Sequence, residues 1–277
     1  MNYSIIHTTR YSYESPAALS QNDASLEPRR TQFQTPQKIT WHLNPLPEFT
    51  RERTDFFGNQ WKSFSFEKHH RELTLSVTSQ VQVVDSPDHG APRGDRQQSY
   101  TEAFLAPSPY IPLKPMFAEY GQASLGSNRS TLEVAQEICL RMFHDCVYDP
   151  EATTIQTPVE TFFETKRGVC QDYAHGTLAV LRSIGIPARY VSGYLNTLPP
   201  PGKEKVLGAD ASHAWVSVYC DDLGWVDMDP TNGIMVTHNH ITLGWGRDYG
   251  DITPLRGIVL GGGTQTLDVE VTVLLEP

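Results

Sequence analysis

The chain has no long apolar segment. Over its 277 residues, no apolar run approaches the ~18 residues that a membrane-spanning helix needs, which predicts a soluble globular protein. Hydrophobic residues make up 39% of the sequence, enough for one large domain or two ordinary ones. The N-terminus also lacks a basic segment followed by an apolar one, so we expect no signal peptide.

Positive charge is scarce as well. Against 32 acidic residues there are 22 basic ones, giving a formal charge of −10, and no basic tract stands out. Nucleic acid and membrane surfaces are therefore not expected as partners, because proteins bind both through clusters of positive charge.

Cysteine is limited to Cys139, Cys146, Cys170 and Cys220. None of them forms a Cys-x-x-Cys pair, which argues against a zinc ribbon or a thioredoxin-type site. Cys139 and Cys146 lie about 10 Å apart if the predicted helix between them is continuous, too far for a disulfide. We therefore expect a reducing, cytoplasmic location, with neither a metal nor a cofactor.

Alternating hydrophobicity dominates the first part of the chain. Residues 1–88 are rich in aromatic and β-branched residues, and residues 73–83 alternate most clearly, which predicts an N-terminal antiparallel β-domain. Residues 86–95 have the composition of a linker. A second domain is expected over residues 89–265.

The C-terminal segment, residues 266–277, shows the same alternation, with Val269, Val271 and Val273 on one face. We predict a strand over residues 266–275 that returns to the N-terminal β-domain. Glycines 261–263 provide its flexible exit from the second domain.

Helical patterns are confined to the middle of the chain. Ser130-Thr-Leu-Glu133 matches a capping box and predicts a helix that runs to about His144. Thr157-Pro-Val-Glu160 matches a second box, with proline at the first position of a short helix. Apolar residues at helical spacing predict a third helix over residues 170–184, which Gly185 ends at a left-handed position.

Gly168 permits a sharp turn into this third helix and places Cys170 on its first turn. Free backbone N–H groups and the helix dipole favour negative charge there, so a cysteine at that position is stabilised as the nucleophilic thiolate. The alternative is that Cys170 is a small apolar core residue, as free cysteines often are.

Two predicted strands flank the turn signal Asp221-Asp-Leu-Gly224. A hairpin centred near Asp221 lays His213 across from Asp229, with both side chains on one face. A carboxylate beside an imidazole fixes its tautomer and stabilises the imidazolium. Taken singly, His213 also fits a hydrogen-bonded core histidine, and Asp229 fits an Asp-Pro turn residue.

Cys170, His213 and Asp229 together match the thiol version of a nucleophilic triad, which predicts an acyl-transfer enzyme acting on amide bonds. A catalytically silent binding module of the same fold is a second hypothesis. A third takes Cys170, His213, His238 and His240 as metal ligands, although only His238 and His240 have the close spacing of zinc ligands.

The same residues lie in motifs that resemble the transglutaminase-like core, whose cysteine, His-Ala-Trp histidine and Asp-Pro-Thr aspartate correspond to Cys170, His213 and Asp229. The motifs that carry the resemblance are Gly168-Val-Cys-Gln-Asp-Tyr-Ala-His175, Gly185-Ile-Pro-Ala-Arg-Tyr-Val-Ser-Gly-Tyr194, Ser212-His-Ala-Trp-Val216 and Gly224-Trp-Val-Asp-Met-Asp-Pro-Thr-Asn-Gly233. The N-terminal segment is similar to the β-domain of bacterial members, in Tyr11-Ser-Tyr13, Leu26-Glu-Pro-Arg29 and Asp55-Phe-Phe-Gly-Asn59.

The resemblance implies an α+β fold: an N-terminal antiparallel β-domain followed by a papain-like core, with the nucleophile helix packed on an antiparallel sheet. It also implies a peptide or protein substrate. Where relatives often carry an aromatic residue before the last aspartate, this chain has Met228. Asp227 shares a strand face with Asp229 and is a second candidate to orient the histidine.

The backbone N–H of Cys170 is the natural first oxyanion donor, and Tyr148 is a candidate for the second. The triad is common to hydrolysis and to transfer onto an amine. Because no acidic or aromatic motif beside it clearly builds an amine site, we expect water to release the acyl group. Asp227 is the one candidate to attract a lysine ammonium, so amine transfer remains the alternative.

Overall fold

Two antiparallel sheets contribute to one apolar core in the computed structural model, which describes residues 1–84, 94–95, 101–197 and 212–276. The expected α+β fold class is confirmed. The predicted linker over residues 86–95 lies outside the described residues except for Gly94–Asp95. None of the helices in the described ranges is long and apolar enough to cross a membrane.

The N-terminal sheet is built around one long strand. Its strands are β1 (Asn2–Ala24), β2 (Gln34–Asn44), β3 (Phe49–Thr54), β4 (Gln60–Phe66) and β5 (His70–Val83), in the order β2-β5-β1-β4-β3. Along β5 the alternate residues Leu73, Leu75 and Val77 are buried, as the pattern predicts. The register of β1 shifts between Ser12 and Ala17, and its two halves pair with different strands.

The second sheet carries the helices. Its described strands are β6 (Gly94–Asp95), β9 (Ala188–Leu195), β10 (Ser212–Cys220), β11 (Gly224–Asp229), β12 (Ile234–Met235) and β13 (His240–Gly246), in the order β12-β11-β10-β9-β13 with β6 beside β11. The short strands β7 (Val147–Tyr148) and β8 (Arg167–Gly168) pair in parallel apart from it. The helices are α1 (Pro115–Gln122), α2 (Thr131–Asp145), α3 (Val159–Thr165) and α4 (Cys170–Ser183).

Helix boundaries follow the capping signals at the start of α2 and at the end of α4, but not at the start of α3. Ser130 and Glu133 form the capping box of α2, and Gly185, at φ 83°, follows the end of α4. At α3 the predicted box does not form. The hydroxyl of Thr157 accepts a hydrogen bond from the backbone N–H of Thr154 instead, and Pro158 takes the position before the helix.

The chain returns to the N-terminal sheet with two strands. The last, β15 (Gln265–Glu276), pairs with the first half of β1, which is where the sequence predicts a strand over residues 266–275. The preceding strand, β14 (Leu255–Gly261), pairs with the second half of β1, although its residues fall within the range expected for the second domain. The register of β1 shifts between Ser12 and Leu19, and the two C-terminal strands pair with β1 on either side of that irregular stretch.

Apolar side chains from β9 and β13 complete the core of the N-terminal sheet. Tyr194, Ile241 and Leu243 are buried against residues of that sheet. The hydroxyl of Tyr194 is hydrogen-bonded to Nδ1 of His7 on β1, at 2.9 Å. The two sheets are therefore joined by apolar packing and by a buried polar contact.

Truncating a buried side chain of β15 should destabilise the whole protein. Val273 is fully buried whereas Val269, on the same strand, is 47% exposed. We expect V273A to lower the free energy of unfolding by about 2 kcal/mol, through lost transfer energy and the cavity left behind. The matched variant V269A should change it by less than about 0.5 kcal/mol. Equal effects in denaturant titrations would show that β15 does not contribute to the core.

The buried histidine of β1 should make the protein sensitive to acid. Burial lowers the pKa of His7 from 6.5 to about 4. Between these values the unfolded chain binds a proton that the folded protein does not, so the free energy of unfolding falls as pH drops from 6.5 to 4.

We expect the contribution of His7 to reach about 3 kcal/mol at pH 4. The variant H7Q should therefore show a flatter pH dependence of unfolding than the wild type. The exposed His42 of β2 supplies the control, since H42Q should keep the wild-type slope. An unchanged slope in H7Q would contradict the burial argument.

Candidate active site

Cys170 is placed by the start of α4. The preceding β8 pairs with β7, and the carboxylate of Asp172 accepts a hydrogen bond from the backbone N–H of Val169 at 2.8 Å. The hydroxyl of Thr153 donates to the same carboxylate oxygen at 2.6 Å. Asp172 thereby caps the helix end at which the thiol lies.

Gly168 is required for a reason other than the sharp turn that the sequence suggests. A Cβ at Gly168 would lie 2.5 Å from Oδ2 of Asp172. The absence of a side chain therefore lets the capping carboxylate of Asp172 lie against the backbone, two residues before the thiol.

Among the four cysteines, Cys170 is the one whose side chain is partly exposed. Cys139, Cys146 and Cys220 are buried, and burial raises the pKa of all three thiols, to about 11 for Cys146 and Cys220. All three thiols lie in the apolar core around the helices.

The hairpin of β10 and β11 brings His213 to Asp229. Cys220 pairs with Gly224, which has φ 81°, so three residues form the loop and the hairpin is centred on Asp222. The predicted centre at Asp221 is thus one residue too early. His213 and Asp229 are diagonal neighbours rather than direct partners, but they keep a common face, and His213 Nε2 lies 2.7 Å from Asp229 Oδ2.

Asp229 is completely buried and accepts five hydrogen bonds. Oδ1 accepts from the backbone N–H groups of Thr231 and Asn232, at 2.9 and 3.2 Å. Oδ2 accepts from the side chains of His213, Asn232 and His240, at 2.7, 2.7 and 3.1 Å. Asp229 is thus both a turn residue and a partner of His213. In the sequence these two roles are alternatives.

These contacts set the charge states of Asp229 and His213. Burial alone would raise the pKa of Asp229, but the hydrogen bonds from His213 and His240 outweigh it and hold that pKa well below its ordinary value. Burial likewise opposes charge on His213, yet hydrogen bonds to Asp229 and to the Cys170 thiol raise its pKa well above 6.5. The arrangement therefore stabilises an imidazolium between a carboxylate and a thiol.

Matches to known families cover most of the chain. Residues 119–230 match the transglutaminase-like superfamily, and residues 3–82 match the bacterial transglutaminase-like N-terminal region. The chain belongs to the transglutaminase-like superfamily. An uncharacterized protein of Mycobacterium tuberculosis is 34% identical to it over 98% of this chain and 92% of its own length. Another, from Mycobacterium leprae, is 34% identical over 97% of each chain.

Two further relatives carry functional descriptions. A protein-glutamine gamma-glutamyltransferase of Pseudomonas aeruginosa is 38% identical over 92 residues, which are 30% of this chain and 14% of that protein. The crystal structure of a proposed cysteine protease from Cytophaga hutchinsonii superposes with a TM-score of 0.77 at 20% identity, covering 100% of this chain and 92% of that one. The second likeness shows the transglutaminase-like fold.

Asp227 does not contact His213 in this transglutaminase-like site. Its Oδ2 accepts a hydrogen bond from the indole N–H of Trp215 at 3.3 Å, and directly opposite it in the ladder lies Ser217. The structure therefore puts Asp229, not Asp227, beside the imidazole.

Tyr148 lies near the thiol. It is on β7, paired with Gly168, and is 57% exposed. Burial of its ring and the nearby Cys170 raise the pKa of its hydroxyl. Tyr148 is thus a neighbour of Cys170, and the Tyr148 hydroxyl keeps the proton that it needs to donate a hydrogen bond.

The suggested metal set is not assembled as a group. Within the described part of the chain, the ligand-type atoms that come together are those of His213, Asp229 and His240, without Cys170 or His238. Nδ1 of His240 accepts a hydrogen bond from the backbone N–H of Thr237, which leaves the ring proton on Nε2, facing Asp229. A protonated nitrogen is a hydrogen-bond donor rather than a metal ligand.

The sequence assigns no role to His240 at Asp229, and no local signal reveals one. His240 begins β13, which pairs with β9, whereas Asp229 ends β11. The two strands lie apart in the sheet, so only the tertiary structure brings their side chains together.

Cys170 should be the cysteine that reacts with alkylating agents. It is partly exposed and interacts with the imidazole of His213, whereas the other three thiols are buried. Mass spectrometry after brief iodoacetamide treatment of the folded protein should find Cys170 modified first, and H213A should slow that reaction near neutral pH. All four cysteines should react after denaturation, as a control. Faster labelling of Cys139, Cys146 or Cys220 in the folded protein would reject the assignment.

Proposed function

We propose that this transglutaminase-like protein is a cysteine-dependent acyl-transfer enzyme that acts on amide bonds of peptides or proteins. Cys170 is the nucleophile, His213 the general base and acid, and Asp229 the residue that orients and stabilises the imidazolium. The observation that carries the proposal is the position of His213 between the Cys170 thiol and the buried carboxylate of Asp229, 2.7 Å away.

The site supports a two-step reaction. The Cys170 thiolate attacks the amide carbonyl carbon, and the C–N bond then breaks as the His213 imidazolium gives its proton to the leaving amine. The product left on the enzyme is a thioester. Water or an amine, deprotonated by His213, attacks that thioester and releases the acyl group and the thiolate.

Oxyanion stabilisation is available at the start of α4. The backbone N–H of Cys170 lies at a helix N-terminus, where the free N–H groups and the dipole favour the negative oxygen of the tetrahedral intermediate. Tyr148 is the candidate second donor, because its side chain is exposed beside the thiol and retains its proton.

An exposed aromatic side chain beside the thiol supports a peptide substrate. Tyr148 on β7 is 57% exposed and pairs with Gly168, on the strand that leads into Cys170. Exposed apolar and aromatic side chains at the edge of a reactive group offer contact area to the flanking residues of an extended substrate.

Hydrolysis is the favoured outcome. An amine acceptor competes with water at about 55 M, so it needs a site that positions it against the thioester. Asp227, the candidate to attract a lysine ammonium, is instead engaged by the Trp215 indole. The Cytophaga protein, whose fold this chain shares, is described as a proposed cysteine protease, and a protease releases its acyl group to water.

Transfer to an amine is the second candidate. The observation that favours it is the 38% identity over 92 residues to a protein-glutamine gamma-glutamyltransferase. A silent binding module is disfavoured, because a binding surface has no use for a carboxylate with five hydrogen bonds aimed at an imidazole beside a thiol.

The two outcomes separate in one experiment. Glutamine-containing acceptor peptides are incubated with the protein and a labelled primary amine, and the products are identified by mass spectrometry. We expect cleaved or deamidated peptide to exceed amine-labelled peptide. Dominant amine incorporation would make the hydrolytic assignment wrong and leave the Cys170 mechanism intact.

The matched cysteine variants test the nucleophile itself. C170A should lower product formation by at least about a thousandfold, because it removes the group that forms the thioester. C220A removes a buried thiol outside the site and should keep the wild-type rate. Product formation that survives in C170A would refute the mechanism.

A further inference from the structure

Asp229 is held by a second histidine in addition to His213. His240 is 3% exposed, and its Nε2 lies 3.1 Å from Asp229 Oδ2, the same oxygen that His213 contacts. Its Nδ1 accepts a hydrogen bond from the backbone N–H of Thr237 at 3.3 Å. Because Nδ1 is an acceptor, the ring carries its proton on Nε2 and donates it to the carboxylate.

The ring of His240 is also held by packing. It meets the indole of Trp215 edge-on, with ring centroids 5.2 Å apart. Trp215 follows His213 by two residues on β10 and shares its face, and its indole N–H donates to Asp227. The His240 ring is thus held by the indole of Trp215 and by the carboxylate of Asp229.

We propose that His240 is a positioning residue that acts as a neutral hydrogen-bond donor to Asp229 and keeps its carboxylate aimed at His213. This inference rests on the function proposed above. With it, the site contains four interacting side chains, those of Cys170, His213, Asp229 and His240. Only the first three take part in the acyl transfer.

The charge of the site explains why the donor must be neutral. The groups that face His240 are Asp229, His213 and Asp227, and Arg189 lines a cavity together with His240 and Asp227. A protonated His240 would place a second cation beside the His213 imidazolium and so oppose the charge on that ring. Burial lowers the pKa of His240 despite the nearby carboxylates, which is consistent with a neutral donor at working pH.

The pH dependence of Cys170 alkylation tests the proposal without a known substrate. The rate rises with pH as the thiolate–imidazolium pair forms, and that pair depends on Asp229. Replacing His240 by phenylalanine keeps the ring shape and removes the donor. We expect H240F to shift the midpoint of the rate profile upward by up to about one pH unit, because a carboxylate that is no longer held toward His213 stabilises the imidazolium less.

The conservative variant H240Q restores a donor and should bring the midpoint back to within about 0.3 units of the wild type. H238F, a matched change two residues away, should keep the wild-type midpoint. A purely structural role of His240 would lower the melting temperature of H240F without moving the midpoint, and that result would overturn the proposal. Equal shifts in H240F and H240Q would overturn it too, since shape and not donation would be responsible.

The variant H213A separates this inference from the proposed function. If H213A and the wild type give superimposable profiles, His213 does not act on Cys170 and the proposed function itself fails. If H213A changes the profile and H240F does not, only the role of His240 fails.

A spectroscopic measurement on the wild type serves where H240F does not fold. The ¹⁵N chemical shifts of the His240 ring should report a neutral imidazole with its proton on Nε2 from pH 5 to 8. An imidazolium, or a proton on Nδ1, would overturn the proposal.

Discussion

The buried carboxylate of Asp229 is the constraint on which the site depends. An ionised group removed from water is strongly unfavourable unless charge and hydrogen bonds compensate it. Here the compensation comes from His213 on β10, His240 on β13 and the turn after β11, so three segments must be in place at once. The charge that orients the imidazole therefore also ties the sheet together at this edge.

The nucleophile is positioned by a separate device. Asp172 caps α4 and lies against the bare backbone of Gly168, and the helix packs on β9 and β10. Cys170 thus depends on local capping, whereas His213 depends on the hairpin and on Asp229. The two parts of the site meet where the His213 imidazole interacts with the Cys170 thiol.

The N-terminal sheet packs against β9 and β13 of the second sheet. Tyr194 on β9 and Ile241 on β13 are buried in its core, and His7 binds the Tyr194 hydroxyl. Ile241 directly follows His240, so the packing that joins the two sheets also fixes the strand that carries the second histidine. The final strands β14 and β15 pair with β1 and thereby link the end of the chain to its beginning.

The sequence by itself determines what depends on neighbours along the chain: the strand alternation of β5, the capping box of α2, the start and end of α4, and the common face of His213 and Asp229. It does not determine what depends on distant segments. Nor does it determine the length of the turn: three residues, 221–223, separate Cys220 from the left-handed Gly224, which centres the hairpin on Asp222. β14 belongs to the first sheet because it pairs with the second half of β1, and the contact of His240 with Asp229 joins strands that are not adjacent in the second sheet. Contacts between segments far apart in the chain leave no periodic signal in the sequence, because they depend on how the strands are arranged in the folded sheet.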